Sequence, residues 1–240
     1  WTELVDIYKR KIDVTSETAS RIELEIKVAQ TSSEKLNDSD TAIEYYSHAL
    51  DDDRNNIQVL NALEQLYCDT KRYADVIDII QMQVDYAQAN DLFAMKVENE
   101  IKLARILIDH LEEKNRAIEV LKEVLDNDGQ NQSAIEMLNA LLKEPEYVSD
   151  IAAILKPIYK QNHNDEAYLE LCRLCIENSS DEFERRAIYL DAASVADESL
   201  NDPERAFEFI KEAILINPTD DEVLERAQSV AQRHQCYALL

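Results

Sequence analysis

One stretch of this 240-residue chain, Ala29 to Leu50, recurs twice and constrains the fold more than any other feature. Ala29 is followed seven residues on by Leu36, six further by Ala42-Ile43, and then by Ala49-Leu50. The same spacing returns as Ala104, Leu111, Ala117-Ile118 and Val124-Leu125, and again as Ala193, Leu200, Ala206-Phe207 and Ala213-Ile214. Where two antiparallel helices cross, a small residue on each lets the axes approach, and larger residues one turn away fill the grooves. Such a hairpin leaves one face apolar, and stacking on a neighbour buries it. The repeat predicts an all-α array of antiparallel helical hairpins.

Helical spacing of apolar residues supports this along the whole chain. It predicts helices over 1–13, a long one to about 36, then 40–51, 56–69, 73–88, 91–112, 115–126, 131–143, about 146–161, 164–178, one to about 200, 203–216 and about 220–235. Asn37 to Asp40, Asn55-Asn56 and Asn201-Asp202-Pro203 read as turns and N-caps. Gly129 reads as the C-cap of the 115–126 helix. Pro157 falls inside the helix at about 146–161, so a kink or break near Lys156 is expected. Period-two alternation never extends beyond a few residues.

Composition narrows the function classes. One Gly and four Pro are too few for the tight turns of an all-β fold or for a phosphate-cradling loop. The formal net charge is −25, which repels nucleic acid and anionic membrane surfaces and attracts a basic partner at long range. No run of 18 apolar residues is present, so no membrane insertion is expected. Four sparse cysteines suit free thiols in a reducing, cytoplasmic setting better than a disulfide framework.

Few motifs suggest chemistry. Cys172 and Cys175 lie mid-helix with no second ligand pair, and read as small apolar packing residues rather than a redox or metal site. Asp126 to Gly129 hints at a calcium loop, but Val124 and Ile135 stand where ligands are required. The four histidines, 48, 110, 163 and 234, are scattered. No catalytic residue, cofactor or metal is assigned, and the chain reads as non-enzymatic.

Ala206, Ile210, Ala213 and Pro218, at spacings of 4, 3 and 5, match the second helix of the tetratricopeptide repeat. Leu60, Leu63, Tyr67, Tyr73, Val76 and Ile80 fall on its large, large, aromatic, aromatic, small and large positions. The chain therefore resembles the tetratricopeptide-repeat superfamily in a divergent form. Its first-helix alanine lies thirteen residues before Ala42, Ala117 and Ala206, where the family has twelve. The resemblance implies an α-α superhelix, a right-handed solenoid of about 12–13 helices forming a single repeat domain over 1–240. Ala42 and Ala117 stand 75 residues apart, and Ala117 and Ala206 stand 89 apart, so the spacing is irregular at about 145–180. Trp1, Leu4, Val5, Tyr8 and Ile12 repeat the pattern of Tyr73, Val76, Ile77, Ile80 and Val84, and Leu224 to Tyr237 repeats the spacing of Leu60 to Tyr73. The segment is thus expected to be a piece of a longer array.

In that family the first helices of the hairpins line a concave groove. Carried over by position, the groove holds Gln58, Asn61, Gln65 and Asp69, then Glu98, Arg105 and Asp109, then Ser194, Asp197 and Glu198. These polar positions lie off the apolar stripes and are expected to be exposed. The resemblance implies a scaffold binding a protein or peptide, with acidic residues favouring a basic one. The alternative is a structural spacer or self-assembly module, in which self-association replaces a ligand.

Overall fold

The computed structural model describes residues 1–237; residues 238–240, which end the expected domain, lie outside the described residues. The described residues form thirteen α-helices and no strand. In order these are α1 (Thr2–Val14), α2 (Thr18–Leu36), α3 (Ser39–Asp52), α4 (Ile57–Asp69), α5 (Tyr73–Ala89), α6 (Phe93–Asp109), α7 (Lys114–Asn127), α8 (Gln132–Leu141), α9 (Val148–Gln161), α10 (Asp165–Asn178), α11 (Glu182–Glu198), α12 (Pro203–Ile216) and α13 (Asp221–His234). A 3-10 turn, Pro145–Tyr147, leads into α9. The chain forms two compact units, Trp1–Val124 and from Leu125 on. Successive helices pack on one another from α1 to α6 in the first and from α8 to α13 in the second, most extensively α2 on α3, α5 on α6 and α11 on α12. The architecture is the all-α helical repeat that the spacing predicts.

The recurring alanines lie in the core, as close helix crossings require. Ala29, Ala42, Ala49, Ala104, Ala117, Ala193, Ala206 and Ala213 are all fully buried. Leu60, Leu63, Ile80, Leu107, Leu121, Leu138, Ile151, Leu155 and Ile210 fill the space beside them. Cys172 and Cys175 are buried free thiols within α10, and burial raises both, Cys172 to about 11. Each is thus held in its neutral form, as a small apolar packing residue requires.

The turns are made almost without glycine. Asn37, Lys71, Asp91, Glu112, His163, Asn201 and Gln235 all adopt the left-handed conformation. Three of them close the recurring stretch. After Asn37, Glu112 and Asn201, the next N–H donates to a carbonyl six residues back: Asp38 to Ser32, Glu113 to Leu107, Asp202 to Ala196, each at 2.9 Å. Asp38 and Asp202 then cap the following helix, accepting from the Thr41 N–H at 3.1 Å and the Arg205 N–H at 3.0 Å. This wide turn accommodates the thirteen-residue offset between the paired alanines.

One local expectation is narrowed to a kink without a break, and one is corrected. Helix α9 runs without a break through Pro157 to Gln161. Both Pro157 and Ala153, whose carbonyl loses its intrahelical donor, are exposed. Gly129 is not in the left-handed region, so it is not the left-handed C-cap expected there. The turn there closes instead through Asn131, whose N–H donates to the Asp128 carbonyl at 3.0 Å and whose side chain caps α8. The 14 additional residues between Ala117 and Ala206 equal the length of α10: four helices separate α7 from α12, where three separate α3 from α7.

A residue with a Cβ at a left-handed position costs roughly 1–2 kcal/mol, and less for Asn. Lys71→Gly should therefore stabilise the first unit by about 1 kcal/mol, and Asn37→Gly by less. Chemical denaturation of the two variants beside the parent chain checks the order.

Candidate partner-binding face

In the first unit, α4 and α6 present the polar positions singled out above. Their apolar stripes point inward: Val59, Leu60, Leu63, Leu66 and Tyr67 on α4 and Leu103, Ala104 and Leu107 on α6 are buried. That leaves Gln58, Asn61, Gln65 and Asp69 on α4, and Glu98, Arg105 and Asp109 on α6, all exposed. Lys102 joins the two helices, its Nζ standing 3.5 Å from both Glu64 of α4 and Glu98 of α6. From α5, the Gln83 amide donates to Asn61 at 3.0 Å and to Glu64 at 2.8 Å. Gln65 donates to Asp69 at 2.8 Å, one turn along α4. Asn61, Glu64, Glu98 and Lys102 thus belong to one hydrogen-bonded surface. Glu64, Lys102 and Gln83 are not among the positions read from sequence. The four-residue spacing of Glu98 and Lys102 is a visible signal, whereas the pairing of Glu64 with Lys102 is tertiary.

In the second unit the expectation of exposure fails at two of three positions. Asp197 is 2% exposed. Its Oδ2 accepts from Arg233 at 2.5 Å and its Oδ1 lies 2.6 Å from His234 Nε2, both on α13. Ser194 is half-buried, donates to the Leu190 carbonyl at 2.9 Å and accepts from Arg226. Glu198 is exposed and stands 3.4 Å from Arg226. The physical reason is that α13 packs alongside this face of α11, so these side chains tie two helices together. Arg186 of α11 adds a further tie, holding Asp220 at 2.5 Å and Glu222 at 2.6 Å. That contact lowers the Asp220 carboxyl from its ordinary value and raises the arginine.

A second polar pattern follows the repeat. Four residues before Ala29 and Ala104 stand Glu25 and Glu100, and four before those stand Arg21 and Lys96. The third copy has Arg185 and Tyr189 there. Both glutamates are buried, each with one carboxylate oxygen lacking a hydrogen-bond partner. Lys96 reaches Glu100 at 3.2 Å, whereas Arg21 lies 4.0 Å from Glu25 and bonds Asp52 at 2.5 Å. The Arg21 contact accounts for the acidic run at the end of α3. Burial raises both glutamates above the ordinary carboxylate value. Each is enclosed within a hairpin and so is part of the framework rather than of the exposed face.

A carboxyl raised in the folded state favours folding fully below its unfolded value, and that contribution is lost as pH rises through the folded value. Glu100→Gln should therefore raise the melting temperature at pH 7, with the gain shrinking to nothing as the pH falls below the ordinary carboxylate value. Melting curves of parent and variant across that range test this. Arg233→Ala leaves Asp197 without its strongest donor and should cost about 1.5–3 kcal/mol. Denaturation of that variant beside Arg116→Ala, whose guanidinium pairs with Glu113 three residues away at 3.3 Å, isolates the effect.

No family model matches this chain, and no curated protein matches it. Solved structures do resemble it. A tetratricopeptide repeat protein from Parabacteroides merdae is 13% identical with a TM-score of 0.39, the match covering 94% of this chain and 89% of that one. YrrB, a tetratricopeptide protein with an unusual peptide-binding site, is 15% identical with a TM-score of 0.35, covering 89% of this chain and 98% of that one. The TPR2AB domain of yeast Sti1, solved as a pHSP90 complex, is 15% identical with a TM-score of 0.35, covering 92% and 86%. The described residues of this chain form an all-α array of helical hairpins in which fully buried alanines recur.

Proposed function

We propose that this protein is a non-enzymatic interaction scaffold whose α4–α6 face binds a protein or peptide segment carrying basic residues. The observation that supports this most is the row of seven exposed polar side chains, Gln58 to Asp69 and Glu98 to Asp109, carried on two helices whose apolar stripes are fully spent on the core. Such a face offers hydrogen bonds and charge on a rigid support, which suits recognition of an extended or helical segment. Its acids, Glu64, Asp69, Glu98 and Asp109, outnumber Lys102 and Arg105. The net charge of −25 would steer a basic partner toward it.

The placement of the histidines supports a non-enzymatic reading. His110 stacks on Tyr73 with ring centroids 3.8 Å apart, His234 holds Asp197, His163 occupies a left-handed turn, and His48 meets the Tyr45 ring edge-on. Each has a structural neighbour, and the four lie on separate elements. No helix among the described residues is long and apolar enough to cross a membrane.

Binding of a panel of basic and acidic peptides, measured across ionic strength, tests the reading. Basic peptides should bind, more weakly as salt rises, and the double variant Glu98→Lys/Asp109→Lys should lose roughly tenfold in affinity with its circular dichroism unchanged. Equal binding by the parent chain and the double variant would remove the α4–α6 face as the site.

A further inference from the structure

Helix α9 repeats α5 at a distance of 75 residues, the spacing that separates Ala42 from Ala117. Ile151 and Leu155 stand in the places of Val76 and Ile80, and all four are fully buried. The neighbouring positions differ in size. Val148 takes the place of Tyr73, and Ala152 that of Ile77. In the first unit the Tyr73 ring stacks on His110 at 3.8 Å, and Ile77, one turn along α5, is buried. The smaller pair on α9 leaves such volume unfilled. A cavity of about 300 Å³ lies against it, walled by Val148, Ala152 and Lys156 of α9, Cys175 and Asn178 of α10, and Ile188 of α11. All of its lining belongs to the second unit, and its size falls within the range of small-molecule sites.

The polar contact along the helix changes as well. On α5 the Gln81 amide donates to Asp85 at 3.1 Å, and the equivalent residues on α9 are Lys156 and Lys160. Lys160 is neutralised by Asp191 of α11 at 2.9 Å. Lys156 is half-buried and has no carboxylate within ion-pair distance among the described residues. Burial raises the Cys172 and Cys175 thiols, and the Lys156 charge opposes that rise in both, so the ammonium stands near the inner wall. An unpaired cation beside apolar walls is complementary to one negative charge on an apolar body. A phosphate would bring up to two charges to this one ammonium. The donors it would also need are engaged: Asn178 donates to the Leu174 carbonyl and Ser179 to Glu184 at the rim. The net charge of −25 acts weakly here, because exposed charges are screened beyond about 10 Å.

We propose that this cavity binds a small aliphatic carboxylate, with its charge on Lys156 and its hydrocarbon against Val148, Ala152 and Ile188. The site is separate from the α4–α6 face and stands whether or not that face binds a peptide.

Calorimetric titration of the full chain with butanoate, hexanoate and octanoate, each beside its primary amide, tests this. At least one acid should bind at a single site, roughly tenfold more tightly than its amide. Lys156→Gln should abolish that preference. Ala152→Ile restores the residue that α5 carries, and should weaken acid and amide alike by filling the cavity. Both variants should keep the circular dichroism of the parent, and if Ala152→Ile does not fold, the acid-to-amide ratio in Lys156→Gln still decides. Failure of all three acids to bind the parent overturns the proposal. So does equal binding of acid and amide, a preference that survives Lys156→Gln, or unchanged affinity in a folded Ala152→Ile.

Discussion

Everything else in this molecule depends on how closely two helices can approach. Dispersion and apolar burial act over short distances, so a large side chain at a crossing would push the helices apart and open gaps along the seam. Alanine at each crossing removes that obstacle. Ala29, Ala42, Ala104, Ala117, Ala193 and Ala206 are all fully buried, which leaves the leucines, isoleucines and tyrosines one turn away room to interlock. Because one small residue per helix sets the approach, the remainder of each helix can vary widely. That freedom is visible in the sequence: the three copies share little beyond the alanines and the leucine at or just past the end of the first helix.

The close approach has to be delivered by the turns, and here the chain uses an uncommon solution. Left-handed residues with full side chains stand at seven turns, where glycine would cost less. The capping aspartates Asp38 and Asp202, and the carbonyls bonded six residues back, satisfy backbone groups that a helix end leaves open. The conformational cost is local and small against the burial it permits.

Polar side chains in this protein divide into two kinds that look alike in sequence. Some, such as Gln58, Asp69 and Asp109, face outward. Others bind neighbouring helices: Asp197 to Arg233 and His234, Arg186 to Asp220 and Glu222, Arg21 to Asp52. A strongly acidic chain gains from this arrangement, since each basic residue that pairs with a carboxylate also reduces repulsion within the unit. Glu25 and Glu100 are less fully compensated and keep an unsatisfied oxygen inside the hairpin.

The sequence alone determined the helical hairpins and the inward-facing residues, because helical periodicity and the alanine spacing are local signals that a one-dimensional pattern carries in full. It also placed the seven outward polar residues of α4 and α6, which follow from the same periodicity. Tertiary structure decided what lies against each polar face. Asp197 sits off the apolar stripe of α11, as Asp69 does on α4, yet the packing of α13 buries one and leaves the other in water. It also decided that α9 continues through Pro157 and that Gly129 stays out of the left-handed region. Periodicity states which side of a helix is polar, and only the position of the next helix states whether that side meets solvent or a partner charge.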